Sequence, residues 1–231
     1  MEDKPKECSC IECTFKSTPV SLLEEKELTN LCNSCVHIEF KAGENIIRQG
    51  AFTTNIAYMT RGLAKVHMEG PLKRDEIIKI TKAPAFIGAP SVFSDRVFHY
   101  SVTSLTDSKV CFIDYQLFDK LLLENGEFAR ELIKELSADL IKQFHSCVNK
   151  TQKRLNAYIA EVLLYFAESI FESNDFHLPL SRNEFAQLVG STRETITRVF
   201  HDFAELQILE INKDHLKIND VKKLNDISRL G

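Results

Sequence analysis

The hydrophobic periodicity of the chain changes most sharply near residue 114, and that change restricts the fold more than any other feature. From Val36 to Ile113, short β-branched and aromatic runs (Val36–Phe40, Ile56–Met59, Ala64–Met68, Glu76–Ile80, Tyr100–Leu105 and Lys109–Ile113) alternate with glycines at 43, 50, 62, 70 and 88. Several short strands with regular turn signals predict an antiparallel barrel or sandwich. Beyond Asp114 the apolar spacing becomes three and four. Strands that come first and helices that come after, rather than alternating, predict an α+β chain with that antiparallel barrel or sandwich in front.

The helical part divides further. Ser21 and Glu24 form a Ser-x-x-Glu box that predicts a short opening helix. Asp114 is a suitable N-cap for a helix running through Leu123. Between Phe128 and Val148, the residues Ala129, Ile133, Leu136, Leu140, Phe144 and Cys147 recur at helical spacing. A stripe of that length needs a partner, and the simplest is its own copy in a homodimer; packing on its own barrel is the alternative. A second helix carries Leu155, Ile159, Val162, Leu163, Phe166 and Ile170, and Asn174-Asp175 ends it.

The stretch from Leu180 to Phe200 carries the most chemistry. Ser181 with Glu184, and Ser191 with Glu194, read as two capping boxes, with Gly190 between them. Two helices joined by a tight glycine turn make a helix-turn-helix. In the second helix Ile196, Val199, Phe200 and Phe203 share an inward face. Arg193, Glu194, Thr197 and Arg198 cluster near the N-terminal end of the outward one, because 193/197 and 194/198 are i,i+4 pairs. A recognition helix puts such residues into the major groove, where arginine pairs with guanine O6 and N7 and glutamate accepts from cytosine N4. Ser181, Arg182, Thr192 and Thr195 are placed to hold phosphates. Ile208–Ile211 and Leu216–Ile218 flank Asn212-Lys213-Asp214 as a small hairpin, the wing of a winged helix, with Lys213 near a phosphate. The bland alternative for Glu194 and Arg198 is an exposed helix ion pair.

With its β-roll, long helix and Thr-Arg-Glu-Thr-Ile-Thr-Arg run in a winged helix, the chain resembles the cyclic-AMP receptor / fumarate-nitrate reductase regulator (CRP/FNR) family of transcription factors, nearer its FNR-like branch. The resemblance spans nearly the whole sequence. It implies that Arg193, Glu194 and Arg198 read base edges of a palindromic double-stranded site, with Thr197 where redox-sensing members place a small hydroxyl residue. It also implies a homodimer whose signal is sensed in the N-terminal domain, and RNA polymerase as a partner if the protein activates. Cyclic-nucleotide binders of the family follow a strand-ending Gly with Glu, and later use an Arg-Ser pair on the phosphate. Here Gly88 is followed by Ala89-Pro90, and Phe98-His99 occupy the Arg-Ser slot, with Arg96 two residues away. A buried phosphodiester with no partner charge is costly, so cyclic AMP is not the expected effector.

Seven cysteines point to metal or redox chemistry in a reducing compartment. Cys10-x-x-Cys13 and Cys32-x-x-Cys35 have spacing suited to a four-thiolate zinc site. The resemblance implies instead a [4Fe–4S] cluster, with Cys111 as the late β-roll ligand, Cys10 and Cys13 as N-terminal ligands, and Cys8 or Cys35 standing in for a cysteine missing near Thr18. Cys32, Cys111 and Cys147 also fit as small buried hydrophobes, and for Cys147 that reading is preferred. A haem held by His67 or Met68 is a further alternative, although a lone histidine on a strand is ordinarily structural.

Composition sets the frame. In 231 residues the net charge is −4, and residues 151–231 hold ten Lys and Arg against twelve Asp and Glu. DNA binding must therefore come from a local face rather than a bulk field. That acidic balance is the one support for the alternative, a ligand-binding module whose winged helix contacts protein. No nucleophile–base pair or phosphate loop suggests an enzyme. There is no long apolar run and no secretory leader, so a cytoplasmic protein without a membrane segment is expected. The expected organisation is a Cys-rich segment over 1–20, a β-roll sensor over 21–123, a dimerisation helix over 124–150 and a winged-helix domain over 151–231.

Overall fold

A computed structural model describes residues 16–229. These residues fall into two compact units, one of 16–68 with 80–140 and one of 69–79 with 141–229. Cys8, Cys10 and Cys13 lie outside the described residues.

The first unit opens with a one-turn helix α1 (Thr18–Ser21) and then α2 (Glu25–Ser34). The expected Ser21–Glu24 box is not formed. Ser21 is the last residue of α1, its hydroxyl donating to Thr18 O, and the box sits three residues later, between Glu24 and Glu27. Pro19 favours an earlier start, since its fixed φ suits the first helical turn.

Strand β1 (Cys35–Phe40) follows α2 directly, and β2 (Asn45–Ile47), β3 (Asn55–Arg61), β4 (Leu63–Glu69), β5 (Asp75–Lys82) and β6 (Ala85–Ile87) come next. After the short helix α3 (Ala89–Ser94), β7 (Ser101–Ser104) and β8 (Ser108–Asp114) complete two four-stranded sheets of order β1-β8-β3-β6 and β2-β7-β4-β5. Ile56, Met59, Val102, Val110 and Ile113 belong to the buried core of this unit, none more than 1% exposed. Gly62, at φ +104°, permits the β3–β4 turn to lie on β8, because a Cβ there would be 2.8 Å from the Ser108 Cα.

Asp114 caps α4 (Tyr115–Glu124) by accepting from the amides of Gln116 and Leu117. Phe118 packs edge-on to both Phe86 and Phe128, which fastens α4 to the sheet and to the start of the next helix. That helix, α5 (Gly126–Gln152), is 27 residues long. Asn125 alone separates it from α4. The Asn125 side-chain oxygen accepts from the Phe128 amide at 3.0 Å, and its nitrogen donates to the Glu27 carboxylate.

The second unit contains α6 (Leu155–Tyr165), continued by a π-helical turn over Phe166–Phe171. Phe166 stacks with Phe171, Phe176 and Phe185 at 6.3–6.5 Å between centroids. Then follow β9 (Asp175–His177), α7 (Arg182–Val189), α8 (Arg193–Glu205), β10 (Leu209–Asn212), β11 (His215–Ile218) and α9 (Val221–Arg229). The strands form one antiparallel sheet of order β10-β11-β9. This is a winged helix-turn-helix. With the β sheets and long helix ahead of it, the chain has the α+β organisation that its periodicity implies.

Candidate nucleic-acid interface

Local chemistry fixes where the two helices of the motif begin. Ser181 caps α7: its hydroxyl accepts from the Glu184 amide and donates to the Glu184 carboxylate, which also takes the Ser181 amide at 2.9 Å. Gly190 then adopts φ +70° and ends the helix, its amide bonded to Ala186 O. The cap of α8 differs from the sequence reading. Thr192, not Ser191, is the N-cap, with its hydroxyl accepting from the Thr195 amide at 3.3 Å. The Ser191–Glu194 box therefore does not form, and Glu194 is left on the outer face. The cause is the turn itself: Ser191 N is used by Ala186 O, which places Ser191 in the connection rather than at the cap.

The inward face of α8 is closed. Ile196, Val199, Phe200 and Phe203 are at most 2% exposed, and Phe200 meets Phe185 of α7 edge-on at 5.2 Å. The outward face is open, with Arg193, Glu194, Thr197, Arg198 and His201 lining a shallow concavity. Among the described residues, the side chains of Arg193, Glu194 and Arg198 form no ion pair, so the i,i+4 pair weighed above is absent. Thr197 donates to Arg193 O at 2.9 Å, which turns its hydroxyl lone pairs outward. Thr192 and Thr195 share a hydroxyl contact of 3.0 Å at the helix start, where the unpaired amides and dipole of α8 favour an anion.

Arg182 holds a half-buried position that sequence reasoning did not anticipate. Its guanidinium lies 4.3 Å over the Phe200 ring, and Nη2 donates to Lys213 O at 3.2 Å. Burial pushes its pKa below the ordinary arginine value. It joins the first helix of the motif, the recognition helix and the wing turn. Lys213 occupies that turn with φ +58° and an exposed side chain. At the base of the wing, His177 meets Asp214 at 3.3 Å, and the His177 and His215 rings are 5.0 Å apart.

In the first unit, the loop that cyclic-nucleotide binders use is filled differently. Gly88 has φ +83°, and a Cβ there would be 2.8 Å from the Phe98 ring and 2.9 Å from Ile47. His99 bonds the Asp95 carboxylate at 3.1 Å, and the Arg96 guanidinium lies 4.5 Å over the Tyr115 ring. His67 Nε2 is 2.9 Å from the Thr103 hydroxyl, which itself donates to Asn45. Of the candidate metal ligands, Cys35 and Cys111 come together, with His37 beside them. Burial and the charge of Lys109 hold the His37 imidazole below its ordinary pKa. Cys147 corrects the expectation of burial: it is exposed, on a helix whose apolar stripe is itself exposed.

Geometry of this kind defines a class: regulators that read duplex DNA with a winged helix and carry a separate β-roll domain. Residues 158–227 match the Crp-like helix-turn-helix domain and residues 37–125 the cyclic nucleotide-binding domain. A protein named "Probable transcriptional activator" from Rhizobium leguminosarum bv. viciae is 27% identical over 222 residues, covering 94% of this chain and 91% of its own. The transcriptional activator protein FnrA of Stutzerimonas stutzeri is 24% identical over 184 residues, 78% and 75% of the two chains. The structure of FixK2 from Bradyrhizobium japonicum superposes with a TM-score of 0.76 at 15% identity, covering 85% of this chain and 98% of that one. The chain belongs to the CRP/FNR family and is a DNA-binding transcription regulator of that type. No helix among the described residues is long and apolar enough to cross a membrane.

Proposed function

We propose that the protein acts in the cytoplasm as a homodimer on a palindromic duplex site, regulating transcription rather than catalysing a reaction, in response to a signal received by its β-roll domain. The observation that carries this reading is the outward face of α8: two arginines, a glutamate and a threonine, exposed and without ion pairs among the described residues, beside a capped helix start. Arg193, Glu194, Thr197 and Arg198 meet base edges; Ser181, Thr192, Thr195 and Lys213 meet phosphates. Arg182 serves the same interface by holding the wing turn against the recognition helix. Two-fold symmetry sets the half-sites one helical turn apart, about 34–36 Å. The packing of Phe98 on Gly88, and of Arg96 on Tyr115, supports an effector other than a cyclic nucleotide. Contact with RNA polymerase follows if the regulator activates.

The test is selection of bound sequences from random duplex, followed by titration of the selected site. Arg198→Ala is expected to lose about 1–3 kcal/mol of discrimination at one base pair in each half-site. An Arg198→Ala protein that keeps the wild-type preference would remove the recognition-helix assignment.

A further inference from the structure

The register of β1 on β8 sets His37 opposite Cys111 and Cys35 opposite Ile113. Residues two apart on a strand share a face, so Cys35, His37 and Cys111 stand together on one side of the ladder. The Cys111 sulfur is 3.0 Å from His37 Nδ1, and the Cys35 sulfur is 3.3 Å from His37 Nε2. The three side chains bring one donor atom each within 4.8 Å of the others. Cys111 is buried, while Cys35 and His37 are half-buried on the edge strand of the sheet, so an ion can reach them from solvent.

We propose that Cys35, His37 and Cys111 form a zinc site, with three protein ligands among the described residues. Two thiolates and an imidazole are a donor set that selects Zn²⁺ over the hard cations Mg²⁺ and Ca²⁺. Zn–S bonds of about 2.3 Å and Zn–N bonds of about 2.0–2.1 Å need donors spaced much as these three are, so side-chain rotation suffices and the strands need not move. On binding, each thiol gives its proton to solvent, and the two thiolates balance the charge of the ion, which lowers the cost of burying it.

The crowding that suits one ion does not suit a [4Fe–4S] cluster between Cys35 and Cys111. Each iron of such a cluster takes its own thiolate, so the ligating sulfurs must stand apart across the cluster, with no imidazole between them. Both four-cysteine readings of the sequence also leave His37 out, whereas here it touches both sulfurs.

The experiment uses the full chain, stripped with EDTA under reducing conditions and titrated with Zn²⁺ against a chromophoric chelator. Co²⁺ in place of Zn²⁺ reports thiolate ligation by its absorbance. One tight equivalent per chain is expected, and it should survive Cys32→Ser, Cys147→Ser and the combined Cys8→Ser, Cys10→Ser, Cys13→Ser variant. His37→Gln and Cys111→Ala should each weaken it by at least about 100-fold, beyond the range usual for outer-shell changes. His37 is half-exposed, so His37→Gln should fold even if loss of the buried Cys111 thiol does not allow it, and a thermal melt of each variant checks this. Absence of tight Zn²⁺ binding, unchanged binding by His37→Gln, or loss of the ion in the combined N-terminal variant alone would each overturn the assignment.

Discussion

Replacing Phe144 with alanine isolates the energetic role of the long helix. Among the described residues, α5 buries only Phe128 and Leu132, while Ile133, Leu140, Ile141, Phe144 and Val148 are 48–64% exposed along one stripe. Full burial of a phenylalanine side chain stabilises by about 1.5–3 kcal/mol. Phe144 is 61% exposed, so covering the remainder is worth about 1–2 kcal/mol per copy. An isologous two-fold interface uses each residue twice. Phe144→Ala should then weaken the dimer by about 2–4 kcal/mol, which is about a 30- to 1,000-fold rise in its dissociation constant. Sedimentation equilibrium across a concentration series measures this, with Lys142→Ala, on the opposite side of the helix, as the control. The dilute monomer should melt where the wild-type monomer does, because Phe144 contributes little to its own fold. An unchanged dissociation constant, or a monomer destabilised by a similar amount, would refute the reasoning and return the stripe to intramolecular packing.

Other expectations follow from the second unit. Arg182→Ala removes a cation–π contact and a charged hydrogen bond to Lys213 O. It should destabilise the protein by about 2–4 kcal/mol in denaturant melts, weakening DNA binding without changing the preferred sequence. Arg182→Lys should not restore it, because a point charge lacks the planar stack; an unaltered melt would show that the brace is idle. Gly190→Ala forces a left-handed residue at φ +70° and puts a Cβ 2.4 Å from the end of the Lys150 side chain. The lysine can move, so the backbone cost of about 1–2 kcal/mol should dominate. A smaller loss for Gly190→Asn would identify conformation rather than space as the cause.

The sequence made long periodic elements legible and short ones obscure. Eight of the strands, α5 and both helices of the motif are visible because their side chains repeat over at least two periods. Strands β2, β6 and β9 are three residues each, too short to show a period, and are held by their neighbours in the sheet. Helix α9 was hidden by its charges, although Leu224 is fully buried. The outward face of α8 was read residue by residue, since i,i+4 geometry follows from the helix alone. Its cap was misplaced by one residue, because choosing between Ser191 and Thr192 depends on which amide the preceding turn consumes. Arg182 looked like a surface cation, and only three-dimensional packing sets it on Phe200. His37 was missed for a similar reason: its nearness to Cys111 is a matter of strand register across 74 positions. The one local signal was the Cys-x-His alternation of β1, which places 35 and 37 on a common face.

The single residue between α4 and α5 has a mechanical meaning. A chain segment of several residues would absorb motion as slack, but Asn125 is bonded on one side to the first turn of α5 and on the other to Glu27, at the start of α2. Three helices thus converge on one amide whose two ends are chemically distinct, so it engages in one orientation only. The connection behaves as a keyed joint. A rotation of α2 or α4 about it would have to break one of these bonds or carry the first turn of α5 with it.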